Sequence, residues 1–130
     1  GKTGFHPVAL KKFKKELQRN YPESLLKLLK SFFMTASSVK NFSRYPSIPR
    51  LENLLDQLEY LAKTDLSCEV KNVDVPVTVI HGEDDHVIPS AMGEFLAEQL
   101  PNSTLNIIPN GSHSLMIDSS EIVAKYLKEL

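Results

Sequence analysis

Residues able to do acid–base or metal chemistry gather in two short segments of this 130-residue sequence. One is His81-Gly82-Glu83-Asp84-Asp85-His86-Val87-Ile88-Pro89 and the other is Asn110-Gly111-Ser112-His113-Ser114. Histidine ordinarily titrates near neutrality, so it can accept and return a proton at working pH. His81 and His86 also bracket Asp84 and Asp85, and imidazole with carboxylate is a donor set that suits zinc or manganese. Against both stands the plainer reading, in which a loop Asp or His forms a turn or is simply solvated. On that reading His81 caps a strand end, His86 is exposed, and His6, just before Pro7, is a helix-entry residue.

Each segment follows a run with the character of a strand. Val75-Pro-Val-Thr-Val-Ile, closed by Gly82, is short and β-branched, as expected of a strand buried on both faces. Thr104 to Ile108 is a second such run. Between them residues 90–100 have helical spacing, with Ser90 as a cap and Met92, Phe95, Leu96 and Leu100 inward, and Pro101 stops the pattern. From Asp118 a last helix starts, with Glu121 three residues on as in a capping box, and Ile122, Val123, Tyr126, Leu127 and Leu130 inward. Strand, helix, strand, helix is a βαβα unit, so the strands run parallel through a right-handed crossover. Functional groups of open α/β sheets gather beyond the carboxyl ends of the strands. The acidic segment and the His113 segment therefore emerge on one edge.

The preceding residues are helical in pattern. Pro7 opens a basic amphipathic helix with Leu10, Phe13 and Leu17 on one side. Pro22 and Glu23 start a second, in which Leu25, Leu26, Leu28, Leu29, Phe32 and Phe33 form more than one apolar stripe, fit for a core or for an apolar groove. A connector from Thr35 to Pro49 is punctuated by Pro46 and Pro49, and a third helix carries Leu51, Leu54, Leu55, Leu58 and Leu61 before the pattern stops near Thr64 and Asp65. The expected organisation is an all-helical unit over residues 1–66 and an α/β unit over residues 67–130.

At this point a family resemblance becomes specific. The pair "PVTVIHGEDDHVIP" and "IPNGSHSLMID" resembles the end of the α/β-hydrolase fold, where a Gly-x-x-Asp-x-x-x-Pro loop supplies a triad acid and a Gly-x-His loop the triad histidine. The resemblance implies that Asp85 is the acid, Asp84 being the weaker match, and that His113 is the base. His113 would then take a proton from a serine and return it to the leaving alcohol, while Asp85 orients the ring and stabilises its charged form. It also implies a fold class: the C-terminal βαβα portion of an α/β-hydrolase sheet preceded by an all-helical cap, and incomplete as a fold. The segment Leu54 to Asp65, "LLDQLEYLAKTD", and the basic helices before it are similar to the cap of carboxylesterases that act on pimeloyl-carrier-protein methyl ester in biotin synthesis. No cofactor and no metal is implied.

One departure from that family pattern is large. The 130 residues contain no Gly-x-Ser-x-Gly elbow and no upstream loop for an oxyanion hole, and Ser112 and Ser114 do not sit on a strand-to-helix elbow. Two strands are also too few for a stable sheet. The expectation is that an N-terminal half carries the nucleophile, or that self-association covers the sheet edge, and that this chain alone is inactive.

Composition limits the partners. With 42% hydrophobic and 24% charged residues the chain reads as an ordinary globular protein, and no apolar stretch is long enough for a membrane span, so a cytoplasmic location is expected. Cys68 has no partner for an internal disulfide and is read as a small apolar filler. Net charge is −1, yet residues 1–50 carry +9 and residues 51–130 carry −10. Lysines can merely solvate helix faces. A basic face of Lys11, Lys12, Lys14, Lys15 and Arg19 can instead hold an acidic acyl carrier protein. Nucleic acid is not expected, because aromatic side chains are not interleaved with those lysines. Two other readings remain, a small-molecule esterase or lactonase and a noncatalytic module of hydrolase shape.

Overall fold

The computed structural model describes residues 7–35 and 49–128. The reading of His6, any helix within the connector and the inward placement of Leu130 lie outside those residues.

Three helices form the first layer. Pro7, with fixed φ and no N–H to leave unpaired, opens α1 (Pro7–Arg19). Pro22 sits in the first turn of α2 (Tyr21–Ser31), and α3 spans Leu51–Lys63. Leu10 and Leu17, two turns apart on α1, meet Leu58 of α3 in a core flanked by Phe13, Tyr21, Leu51 and Leu54. Leu17 is 0% exposed, so this seam is dry. The Tyr21 hydroxyl donates to the Pro49 carbonyl and ties α2 to the start of α3. Lys14 and Lys63 both pair with Glu59, and these two ammonium groups, Lys14 foremost, hold the Glu59 carboxyl down to about 2. Solvent screens such a surface cluster, so it orients α1 on α3 more than it stabilises them.

The second unit is a two-stranded parallel sheet. β1 (Val77–Gly82) pairs with β2 (Ser103–Ile108), in register from Val77 opposite Ser103 to Gly82 opposite Ile108. A parallel pair needs a crossover, and α4 (Ser90–Gln99) supplies it, packing on both strands. Ile108, Leu115 and Val123 form a second core with Ile80 and Tyr126. α5 (Leu115–Asp118) and α6 (Ser120–Lys128) complete the described chain. Among the described residues no helix is long and apolar enough to cross a membrane.

Several local expectations give way to tertiary demands. α2 stops at Ser31 rather than running through Phe32 and Phe33, and the Phe32 N–H closes a tight last turn on the Leu29 carbonyl at 3.2 Å. β1 begins at Val77, since Pro76 has no N–H to give the ladder, and Val75 is exposed. Its residues 77–81 are half-buried rather than covered on both faces, because among the described residues only one strand lies beside it. Pro89, not Ser90, is the residue before α4, and no side chain caps that helix. Asp118 ends α5 instead of opening the last helix. On α6 the sheet-facing residues are Val123 and Tyr126, which leaves Ile122 and Leu127 exposed, and Leu61 and Leu96 are exposed likewise. Cys68 is exposed rather than filling a core, beside a surface turn in which the Ser67 N–H and hydroxyl both donate to Asp65.

Candidate active site

Two glycines bring the strand-end loops into contact. Beyond the sheet, the Glu83 N–H donates to the Ile108 carbonyl at 3.0 Å and the Asp84 N–H to the Gly111 carbonyl at 2.9 Å. A Cβ on Gly82 would stand 2.3 Å from the Gly111 oxygen, and one on Gly111 would stand 2.9 Å from the Ile108 oxygen. Both obstacles are backbone, which cannot yield as a side chain can. Asn110 turns the chain at φ 54°, a left-handed conformation that asparagine tolerates better than most residues. The loops carrying Asp85 and His113 are thereby set side by side.

Asp85 is 8% exposed and its carboxylate is fully engaged. Oδ1 accepts the N–H groups of Val87 and Ile88, both at 2.8 Å, and Oδ2 faces His113 Nδ1 at 2.9 Å. Burial pushes this carboxyl up. The Ile88 N–H, the His113 ring and the Val87 N–H together push it down further, so it lies below its ordinary value. An ionised carboxylate only accepts hydrogen bonds, so Nδ1 of His113 must carry the ring proton. In the neutral ring that tautomer keeps the lone pair on Nε2, the form that can act as a general base. The half-buried His113 ring also meets Phe32, with ring centroids 4.8 Å apart and planes tilted by 53°.

The other singled-out side chains are placed elsewhere. Asp84 and His86 are exposed. His81 does more than end a strand: its Nε2 lies 2.9 Å from the Ile88 carbonyl and 3.4 Å from Asp85 Oδ2, and its ring packs where only glycine fits, since a Cβ on Gly93 would stand 2.8 Å from its Nδ1. With Nε2 turned onto the acid loop, His81 braces Asp85, and among the described residues no group of three or more His, Cys, Asp and Glu side chains is placed to hold a metal ion. The Ser112 hydroxyl is buried and donates to Asp118 Oδ2 at 2.6 Å, so its proton is not directed at His113. Lys14 is half-buried and turned onto Glu59, whereas Lys11, Lys12, Lys15 and Arg19 are exposed. Phe32 and Asp118 were not among the expected site residues. Phe32 lies at the end of an apolar helical pattern and Asp118 within a capping pattern, and neither pattern encodes the contact of Phe32 with His113 or of Asp118 with Ser112 and Met34. A cleft of about 640 Å³ lies between α1, α3 and α4, lined among others by Leu10, Lys15, Leu61, Met92 and Phe95, but not by Asp85 or His113.

Comparison with known proteins bears on this geometry. Residues 9–120 match the model of a family described as alpha/beta hydrolase fold. RutD of Pseudomonas syringae pv. syringae (strain B728a), assigned as a carbamate hydrolase, is 33% identical over 66 residues, which are 51% of this chain and 26% of that protein. The bifunctional esterase/perhydrolase DCH of Acinetobacter calcoaceticus is 33% identical over 73 residues, 55% of this chain and 26% of that protein. Among solved structures, the esterase EaEST of Exiguobacterium antarcticum superposes with a TM-score of 0.86 at 17% identity, covering 97% of this chain and 48% of that one, a likeness of fold. The matches thus span about a quarter of the length of these two relatives, and the chain about half of the solved structure.

Proposed function

We propose that this chain, which belongs to the alpha/beta hydrolase fold family, supplies the cap (residues 1–66) and the acid–base end (residues 67–130) of a serine-type carboxylic ester hydrolase. The observation that carries the proposal is the 2.9 Å contact between Asp85 Oδ2 and His113 Nδ1. In the mechanism, Nε2 of His113 takes the proton of a serine hydroxyl as its oxygen attacks the ester carbonyl. The carbonyl π electrons move onto oxygen, and when they return the alkoxide leaves with the proton from His113. Water then repeats the sequence on the acyl-enzyme and releases the acid. Asp85 stays ionised throughout and stabilises the imidazolium between the two transfers.

The serine belongs to residues outside this chain, which has no elbow motif and whose Ser112 is bonded away. The experiment is turnover of a short p-nitrophenyl ester by the purified 130-residue chain. No rate above buffer is expected. A rate that disappears in His113→Ala would place a nucleophile within these residues and overturn the assignment.

The substrate we favour is a methyl ester carried on an acidic acyl carrier protein, with Lys11, Lys12, Lys15 and Arg19 as its exposed docking face. A second reading, hydrolysis of free small esters, is supported by the names of the relatives, among them an esterase/perhydrolase.

A further inference from the structure

The backbone on both sides of His113 is held by a network that proton transfer does not use. Through a single oxygen, Oδ2, Asp118 accepts the Ser112 hydroxyl at 2.6 Å and the Met34 N–H at 2.9 Å. Ser112, 3% exposed, accepts the Ser114 N–H at 3.0 Å, and that N–H also reaches the Phe32 carbonyl at 3.0 Å. The two neighbours of the histidine are thus bonded to each other and to the segment leaving α2, Ser114 through Phe32 and Ser112 through Asp118 to Met34. The Phe32 ring, fixed by the same segment, rests on the His113 ring.

Asp118 sets the sense of this network. A hydroxyl both donates and accepts, and its rotor follows the strongest partner. A carboxylate is that partner: it draws the Ser112 proton to itself, and a lone pair of the same oxygen is left for the Ser114 N–H. Without Asp118 the rotor is free, the Met34 N–H loses its acceptor, and the turn around His113 is left with only the Ser114 and ring contacts to Phe32 to hold it to the segment leaving α2. Resting on the reading of His113 as the base, we infer that Asp118 is a positioning residue that clamps the Ser112–Ser114 turn to Phe32 and Met34 and so fixes the His113 ring on Asp85.

Long-range proton–nitrogen correlation of the His113 ring in the 15N-labelled 130-residue chain tests this without requiring turnover. The native ring is expected to show one tautomer, with Nδ1 protonated. Asp118→Ala is expected to give a mixture of the two tautomers and about tenfold faster exchange of the Ser114 amide, the effect of losing one ordinary hydrogen bond. Asp118→Asn keeps an acceptor oxygen and is expected to restore most of both. A role in stability alone would lower the melting temperature and leave the tautomer in place, and an unchanged ring in Asp118→Ala overturns the inference. Should that variant not fold, Ser112→Ala reads the same bonds, and a native-like ring and Ser114 exchange there overturn it equally. Asp85→Asn separates the two ideas. A ring disturbed by Asp85→Asn and not by Asp118→Ala sinks the clamp alone, while a ring indifferent to Asp85→Asn sinks the acid–base pair itself.

Discussion

Asp85 takes hydrogen bonds from Val87, Ile88 and His113, and each is lost or weakened when its carboxyl gains a proton. With the folded value below the unfolded one, near 3.9, the stabilisation is fully present above about pH 5 and is lost as pH falls through the folded value. Thermal melting between about pH 7 and pH 3 should therefore show the native chain losing its advantage over Asp85→Asn in the acid part of the range. A difference that does not change with pH would contradict the depressed carboxyl. Asp85 and His113 can be read from sequence because Gly82 and Gly111 stand at fixed spacing from them and are required by the 2.3 Å and 2.9 Å backbone clashes that any Cβ would create. Phe32 and Asp118 cannot, because the contacts of Phe32 with His113 and of Asp118 with Met34 each span about 80 residues and local spacing carries no trace of that separation.

At the scale of elements, helical period and β-branched runs locate α1, α3, α4 and both strands to within a few residues. What fails is the register of ends and faces. α2 gives up Phe32 because the ring and carbonyl of that residue are engaged by the histidine loop, a tertiary claim stronger than helix propensity. The capping pattern at Asp118 and Glu121 loses to the Ser112 hydroxyl and the Met34 N–H. The helical layer itself rests on the Leu10, Leu17 and Leu58 seam. Leu17→Ala, at a position with no exposure, should destabilise the chain by about 2–5 kcal/mol, measured by urea unfolding. A loss below about 1 kcal/mol would mean that α1 does not pack as described.

The whole molecule joins a basic helical layer to an acidic α/β layer, with the Asp85–His113 pair on the loops of the second and Phe32 and Met34, which follow α2, reaching across to it. If the exposed lysines dock an acidic carrier protein, kcat/KM for a carrier-linked ester should fall about tenfold between roughly 0.05 and 0.5 M salt, while a free neutral ester is little affected. Equal salt responses would favour the small-ester reading. Charge asymmetry is visible in sequence, but which lysines are available is not: Lys14 is drawn onto Glu59 by the packing of α1 on α3. The central claim, that His113 is the base of an ester hydrolase whose nucleophile lies outside these residues, is tested most directly in the longer hydrolase proposed to contain this chain. There, kcat/KM for a p-nitrophenyl ester should drop at least about a thousandfold in His113→Ala. A loss of less than about tenfold would contradict it.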